Sequence, residues 1–121
     1  MSHYSRGRDF EWKVRDLFAE NGYSVMRMAG SKGDAKVDLI ALKPGQLLFI
    51  QAKTSASALG PAEWNRLVEV AGWADAIPVL AAKGGRGEGV QLWRLNGPKV
   101  PRARTQPIER FVIDEVAEAA A

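Results

Sequence analysis

Phe10, Val14, Leu17 and Phe18 recur at the spacing of one helical face, and Asn21-Gly22 follows as a stop, so the pattern predicts a first helix over residues 8–21. Tyr23 to Met28 is β-prone and reads as a first strand, followed by the polar loop AGSKGDAK. Val37–Leu42 and Leu47–Lys53 are two apolar runs around Lys-Pro-Gly-Gln, a hairpin by its turn residues. Gly60-Pro61 opens a second helix, with Trp64, Leu67, Val68 and Ala71 as its apolar stripe and an end near Asp75. Ile77–Ala82 is a short apolar strand, GGRGEG a turn and Val90–Leu95 a further strand. The three prolines and missing periodicity of residues 96–107 predict an extended connector. Residues 108–121 read as a C-terminal helix, and residues 1–7 as a flexible tail. The order α, β, β, β, α, β, β, with central strands apolar on both faces, predicts an α/β fold: a mixed central sheet flanked by helices.

Composition narrows the chemistry. A chain of 121 residues that is 46% hydrophobic is one domain by length and can bury a core without staples. It has no cysteine, which excludes disulfides, thiolate metal sites and cysteine nucleophiles. The single histidine, His3, falls in the expected tail, so any catalysis must rest on carboxylates, lysine or hydroxyls. No apolar run approaches a membrane span and the start carries no signal-peptide core, so a cytoplasmic protein without a membrane partner is expected. The net charge is +3, but Lys83, Arg86, Arg94, Lys99, Arg102 and Arg104 face only Glu88 within their stretch, which favours a polyanionic partner.

The candidate chemistry lies in the hairpin. A turn centred on Pro44-Gly45 sets Asp38 opposite Gln51, and strand alternation puts Lys53 on the same face. Three polar groups thus converge at the open end of an apolar hairpin, where a carboxylate is costly without a cation, water or donors. A plain Asp38–Lys53 ion pair at a sheet rim gives the same pattern as a catalytic site. Glu11, on the margin of the first helix's apolar stripe, can lean over the sheet, or it can pair with Arg15 one turn on.

A glutamate on the first helix, an aspartate at a strand start and an x-x-Lys triplet on the next strand make the arrangement of the PD-(D/E)XK nucleases. Within that superfamily the chain resembles the archaeal-type Holliday junction resolvases, from about Gly7 to Leu95. The residues that carry the likeness are Gly7-Arg8-Asp9-Phe10-Glu11, Gly22-Tyr23-Ser24-Val25-Met26-Arg27 and Ala29-Gly30-Ser31-Lys32. Val37-Asp38-Leu39-Ile40-Ala41, Ile50-Gln51-Ala52-Lys53 and Ile77-Pro78-Val79-Leu80-Ala81 continue it. The resemblance implies a restriction-endonuclease-like core and a homodimeric, metal-dependent endonuclease that cuts four-way DNA junctions. It also implies that Glu11 and Asp38 help hold the metal, that Gln51 stands where the family has a metal-binding glutamate, and that Lys53 is the catalytic lysine. Ser31 matches a loop serine near the scissile phosphate, and is equally an ordinary turn serine.

Hard oxygen ligands suit Mg²⁺ or Mn²⁺, and an adjacent ammonium can orient water or stabilise a phosphodiester transition state. Gln51 departs from the pattern, because an amide oxygen can ligate metal but brings no charge. Weaker metal binding or a silent enzyme follows. Arg6, Arg8, Arg27, Lys32 and Lys36 are candidates for tracking DNA phosphates, or form a solvated charged surface. Asp34 is an extra ligand or a turn residue. Trp12, opposite the apolar stripe, is a stacking, interface or loop-covered residue, while Trp64 and Trp73 belong to core packing or a dimer face. The reading is a single nuclease domain, 1–121, acting as a Holliday junction resolvase. Its rivals are a restriction- or repair-type duplex endonuclease and a catalytically silent DNA-binding module.

Overall fold

Pro44 and Gly45 occupy the two central positions of a tight turn, with Gly45 at φ 81°, the residue order of a type II turn. That turn joins β2 (Leu39–Lys43) to β3 (Gln46–Lys53) in the computed structural model, which describes residues 3–28 and 37–113, with side chains from Gly7 onward. The pairs run from Lys43 with Gln46 to Leu39 with Ile50, the register expected from the turn. Asp38 lies one step past the last pair. Its N–H still donates to the Ile50 carbonyl at 2.8 Å.

The hairpin is the middle of a six-stranded sheet whose spatial order follows the chain: β1 (Ser24–Arg27), β2, β3, β4 (Ile77–Lys83), β5 (Val90–Leu95) and β6 (Ile108–Arg110). Neighbours are antiparallel except β3 and β4, which are parallel. A parallel pair needs a crossover, and the segment holding α2 (Pro61–Trp73) supplies it. Strand alternation then sorts the core into two. On one face, Phe10, Val14 and Phe18 of α1 (His3–Glu20) pack on Leu39, Ala41, Leu48, Ile50, Val79 and Ala81. On the other, Trp64, Leu67 and Val70 of α2 pack on Leu80 and Leu95, with Ile40 and Phe49 beside them. The expected α/β architecture, a mixed sheet flanked by helices, is therefore the one observed.

Two boundaries differ from the expectation. Residues 3–7 belong to α1, where a flexible tail was expected. Residues 108–110 are not helical but form β6 on the edge of β5, and the Phe111 N–H continues the pairing to Leu92. Phe111 and Ile113 turn inward while Val112 is exposed, a period of two. The β-branched and aromatic run Ile108–Ile113 favours a strand, and the helix-forming alanines that coloured the reading follow it. Residues 114–121 lie outside the described set. The connector 96–107 lacks helix and strand as expected, yet it is pinned: the Trp64 indole donates to the Gly97 carbonyl at 2.8 Å, and the Gln106 amide bonds both N–H and C=O of Val100.

Candidate functional site

Odd-numbered positions of β3 share a face. Because Phe49 packs with α2, Gln51 and Lys53 point toward α2 as well, and Asp38 follows Ile40 onto that side. Gln51 is only 5% exposed. One oxygen of Asp38 accepts the Ala52 N–H at 2.9 Å, so the side chain caps the end of the β2–β3 ladder. The three polar residues expected at the open end of the hairpin are thus gathered there.

A fourth group, which the sequence reading did not single out, completes the cluster. Glu63, in the first turn of α2, sets one carboxylate oxygen 2.9 Å from Lys53 Nζ and 3.2 Å from Gln51 Nε2. A carboxylate can face only the donor end of an amide, so Glu63 fixes which way Gln51 points. Among the described residues, Gln51 Oε1 is then left buried with no hydrogen-bond partner. An orphaned buried acceptor costs about 1–3 kcal/mol.

Burial raises the Asp38 pKa above its ordinary 3.8, against the lowering effect of the Ala52 N–H. The charges of Glu11 and Glu63 push it further up, and Lys53 pulls it down. The field of Glu11 reaches Asp38. The side chain itself sits on the α1 side, where its Oε1 pairs with Arg27 Nε at 2.8 Å, while Arg15 pairs with Asp16 instead of Glu11.

A cleft of about 1050 Å³ opens beside Lys53, between Gly7 and Lys13 of α1 and the tip of the β4–β5 hairpin. Lys13, Lys53, Lys83 and Arg86 line it against the single carboxylate of Asp9. The hairpin neck depends on Gly84, whose N–H donates to Gly89 O at 2.7 Å and where a Cβ would come within 2.8 Å of that oxygen. Of the cations proposed from sequence, Arg8 is exposed on α1, Arg27 is engaged by Glu11, and Arg6 lies on α1 with its side chain outside the described set. Ser31, Lys32, Asp34 and Lys36 also lie outside the described residues. Trp12 is 47% exposed beneath the Arg15 guanidinium, whereas Trp64 is core and Trp73 is exposed.

A sequence-family model of the archaeal Holliday junction resolvase (Hjc) matches residues 2–120. The chain belongs to the archaeal Holliday junction resolvase family. Within that Hjc family, the crossover junction endodeoxyribonuclease Hjc of Methanocaldococcus jannaschii is 44% identical over 57 residues. That match takes in 46% of this chain and 41% of the relative, so the chain spans about two fifths of that curated relative's length. The solved structure of Archaeoglobus fulgidus Hjc, a Holliday junction resolvase, superposes with a TM-score of 0.63 over 95% of this chain and 100% of that one. At 20% identity, this second likeness speaks for the fold alone.

Resolvase nucleases of the Hjc family generally need a divalent metal. The residues present fit a hard cation: Asp38 and Gln51 offer only oxygen, and the orphaned Gln51 Oε1 and desolvated Asp38 would both gain from positive charge. Among the described residues, no three Asp, Glu, His or Cys side chains are gathered closely enough to hold a metal. Also among the described residues, no helix is long and apolar enough to cross a membrane.

Proposed function

We propose that the protein is a Holliday junction resolvase, a homodimeric, Mg²⁺-dependent endonuclease of the cytoplasm that hydrolyses phosphodiester bonds in four-way DNA junctions, with Mn²⁺ able to replace Mg²⁺. The observation that carries this reading is the Asp38, Gln51 and Lys53 cluster with its open oxygen acceptor, set beside a cleft lined by cations. Asp38 and Gln51 would hold the metal, and the charge of Glu11 acts on Asp38 as well. When bound, the cation supplies the positive charge that acidifies an attacking water and offsets charge growing on the phosphate. Lys53 donates toward the phosphate or the water, and Glu63 keeps its ammonium at the strand end until substrate competes for it. Phosphates run through the cleft along Lys13, Lys83 and Arg86, while Arg6, Arg8, Arg27, Lys32 and Lys36 extend the track and Ser31 stands near the scissile bond. Cutting two strands symmetrically needs two such sites, hence a two-fold dimer.

The test is cleavage of a fixed four-way junction beside a linear duplex of the same sequence, in Mg²⁺. Paired nicks in the junction alone are expected; equal cutting of the duplex, or no cutting in Mg²⁺ or Mn²⁺, would remove the reading. The cleft has its own expectation. Replacing Lys83 and Arg86 together by Gln should flatten the plot of log affinity against log salt by roughly two, since each phosphate contact contributes about 0.9. An unchanged slope in a salt titration of junction binding would take the DNA out of this cleft.

A further inference from the structure

The family's strand glutamate is missing at position 51, yet a carboxylate stands against the residue that replaced it. Glu63 comes from the crossover helix, not from the strand, and touches both Gln51 and Lys53 with one oxygen. Building on the resolvase reading, we propose that Glu63 is a metal ligand of this chain, supplying from α2 the negative charge that β3 has lost.

Three observations converge on it. Gln51 is only 5% exposed, and among the described residues its carbonyl oxygen has no partner. That acceptor is turned away from Glu63 only because the NH₂ end is held by the Glu63 carboxylate. A cation between the two side chains reverses the preference, since carbonyl and carboxylate then both face positive charge. A half-turn about the Cγ–Cδ bond, a soft torsion, turns the oxygen to the cation and sets the NH₂ group in the place the oxygen held. Charge counting agrees. Asp38 and Glu63 together carry the two negative charges that a divalent ion needs, and Glu63 already lies close enough for its field to act on Asp38. Lys53 is the counter-ion that Glu63 uses while no cation is present, so metal binding frees the lysine for the phosphate.

The competing account makes Glu63 a helix-start charge and a clamp on Lys53, without contact to metal. Mn²⁺ binding to the full-length chain without DNA, followed by the loss of free-ion electron paramagnetic resonance signal, separates the two. Glu63→Gln should weaken Mn²⁺ binding by more than the roughly 10- to 100-fold that loss of a residue behind the ligands costs, while Glu69→Gln, on the same helix, should leave it unchanged. The double variant Gln51→Glu/Glu63→Gln returns the carboxylate to the strand and should restore binding to near the original affinity. Circular dichroism melts of each variant establish that the chain is folded, as expected for a half-exposed first-turn side chain. Undiminished binding by Glu63→Gln, a loss that the double variant does not recover, or no Mn²⁺ binding by the unaltered chain would each overturn the assignment. Junction cleavage by the unaltered chain alongside undiminished Mn²⁺ binding by Glu63→Gln would remove Glu63 and leave the resolvase reading. Absent cleavage with the predicted binding pattern would do the reverse.

Discussion

Asp38→Asn should melt higher than the unaltered chain without metal, and should cut no DNA. The carboxylate is held in a desolvated place between the charges of Glu11 and Glu63, which raises its pKa. For an acid raised on folding, the folded state binds the proton more tightly than the unfolded one. Stability is therefore greatest below the unfolded value, 3.8, and falls as pH rises from there through the folded pKa. The loss is complete once the pH lies above the folded pKa. Asparagine removes the charge and keeps an oxygen to accept the Ala52 N–H, so a rise in melting temperature is expected, about 4 °C for each kcal/mol recovered in a domain of 121 residues. The decline of stability on the acid side of neutrality should disappear with it. Cleavage should drop by more than the roughly 10- to 100-fold typical of residues behind the ligands, because Asp38 is proposed as a ligand. Melts from pH 4 to 8, paired with single-turnover cleavage, read both effects. A variant that melts lower at pH 7, or one that still cuts, would mean that Asp38 is a structural cap and nothing more.

Lys53→Met should do the opposite to the metal-free fold and the same to catalysis. Methionine keeps the bulk of the stem, while Glu63 loses the ammonium at 2.9 Å and Asp38 loses the neighbour that pulls its pKa down. Melting temperature should fall at neutral pH, and the pH-dependent decline in stability should steepen. Cleavage should drop about 10²- to 10³-fold, the usual consequence of deleting a group that stabilises transition-state charge. Junction affinity measured in Ca²⁺ should change little, because many phosphate contacts share it. Combining the two substitutions should give a melting temperature between those of the single variants. A Lys53→Met chain with unaltered cleavage would exclude the lysine from the chemistry and leave the rim ion pair as its whole purpose.

Sequence carried the hairpin further than the rest because Pro44-Gly45 determines the pairing by itself. Once the turn is placed, Asp38, Gln51 and Lys53 must share a face, and the observed register agrees. Glu63 was hidden for the converse reason. A glutamate in the first turn of a helix is what the helix dipole favours anywhere, so nothing in PAEW separates a ligand from an ordinary surface residue. Only the parallel crossover, which returns α2 over the end of β3, gives it meaning. Glu11 falls on the expected helix, and of its two readings the structure replaces the surface pair: the i+4 rule sees Arg15, whereas Arg27 arrives from a strand sixteen residues away. The β6 strand was lost to the alanines that follow it, a case of composition outweighing a short period-two signal.

The chain-order succession of strands bears on how the site comes into being. Hairpins and meanders close short loops, so β1 to β3 and β4 to β5 are local contacts that form early, and the β3–β4 pairing across the α2 segment is the slow, long-range closure. Asp38, Gln51 and Lys53 are assembled by the first kind of event. Glu63 is delivered by the second, together with the like charge that burdens Asp38. The nascent hairpin thus folds with a lysine for company and meets the added charge of Glu63 only after the rest of the sheet can hold it in place.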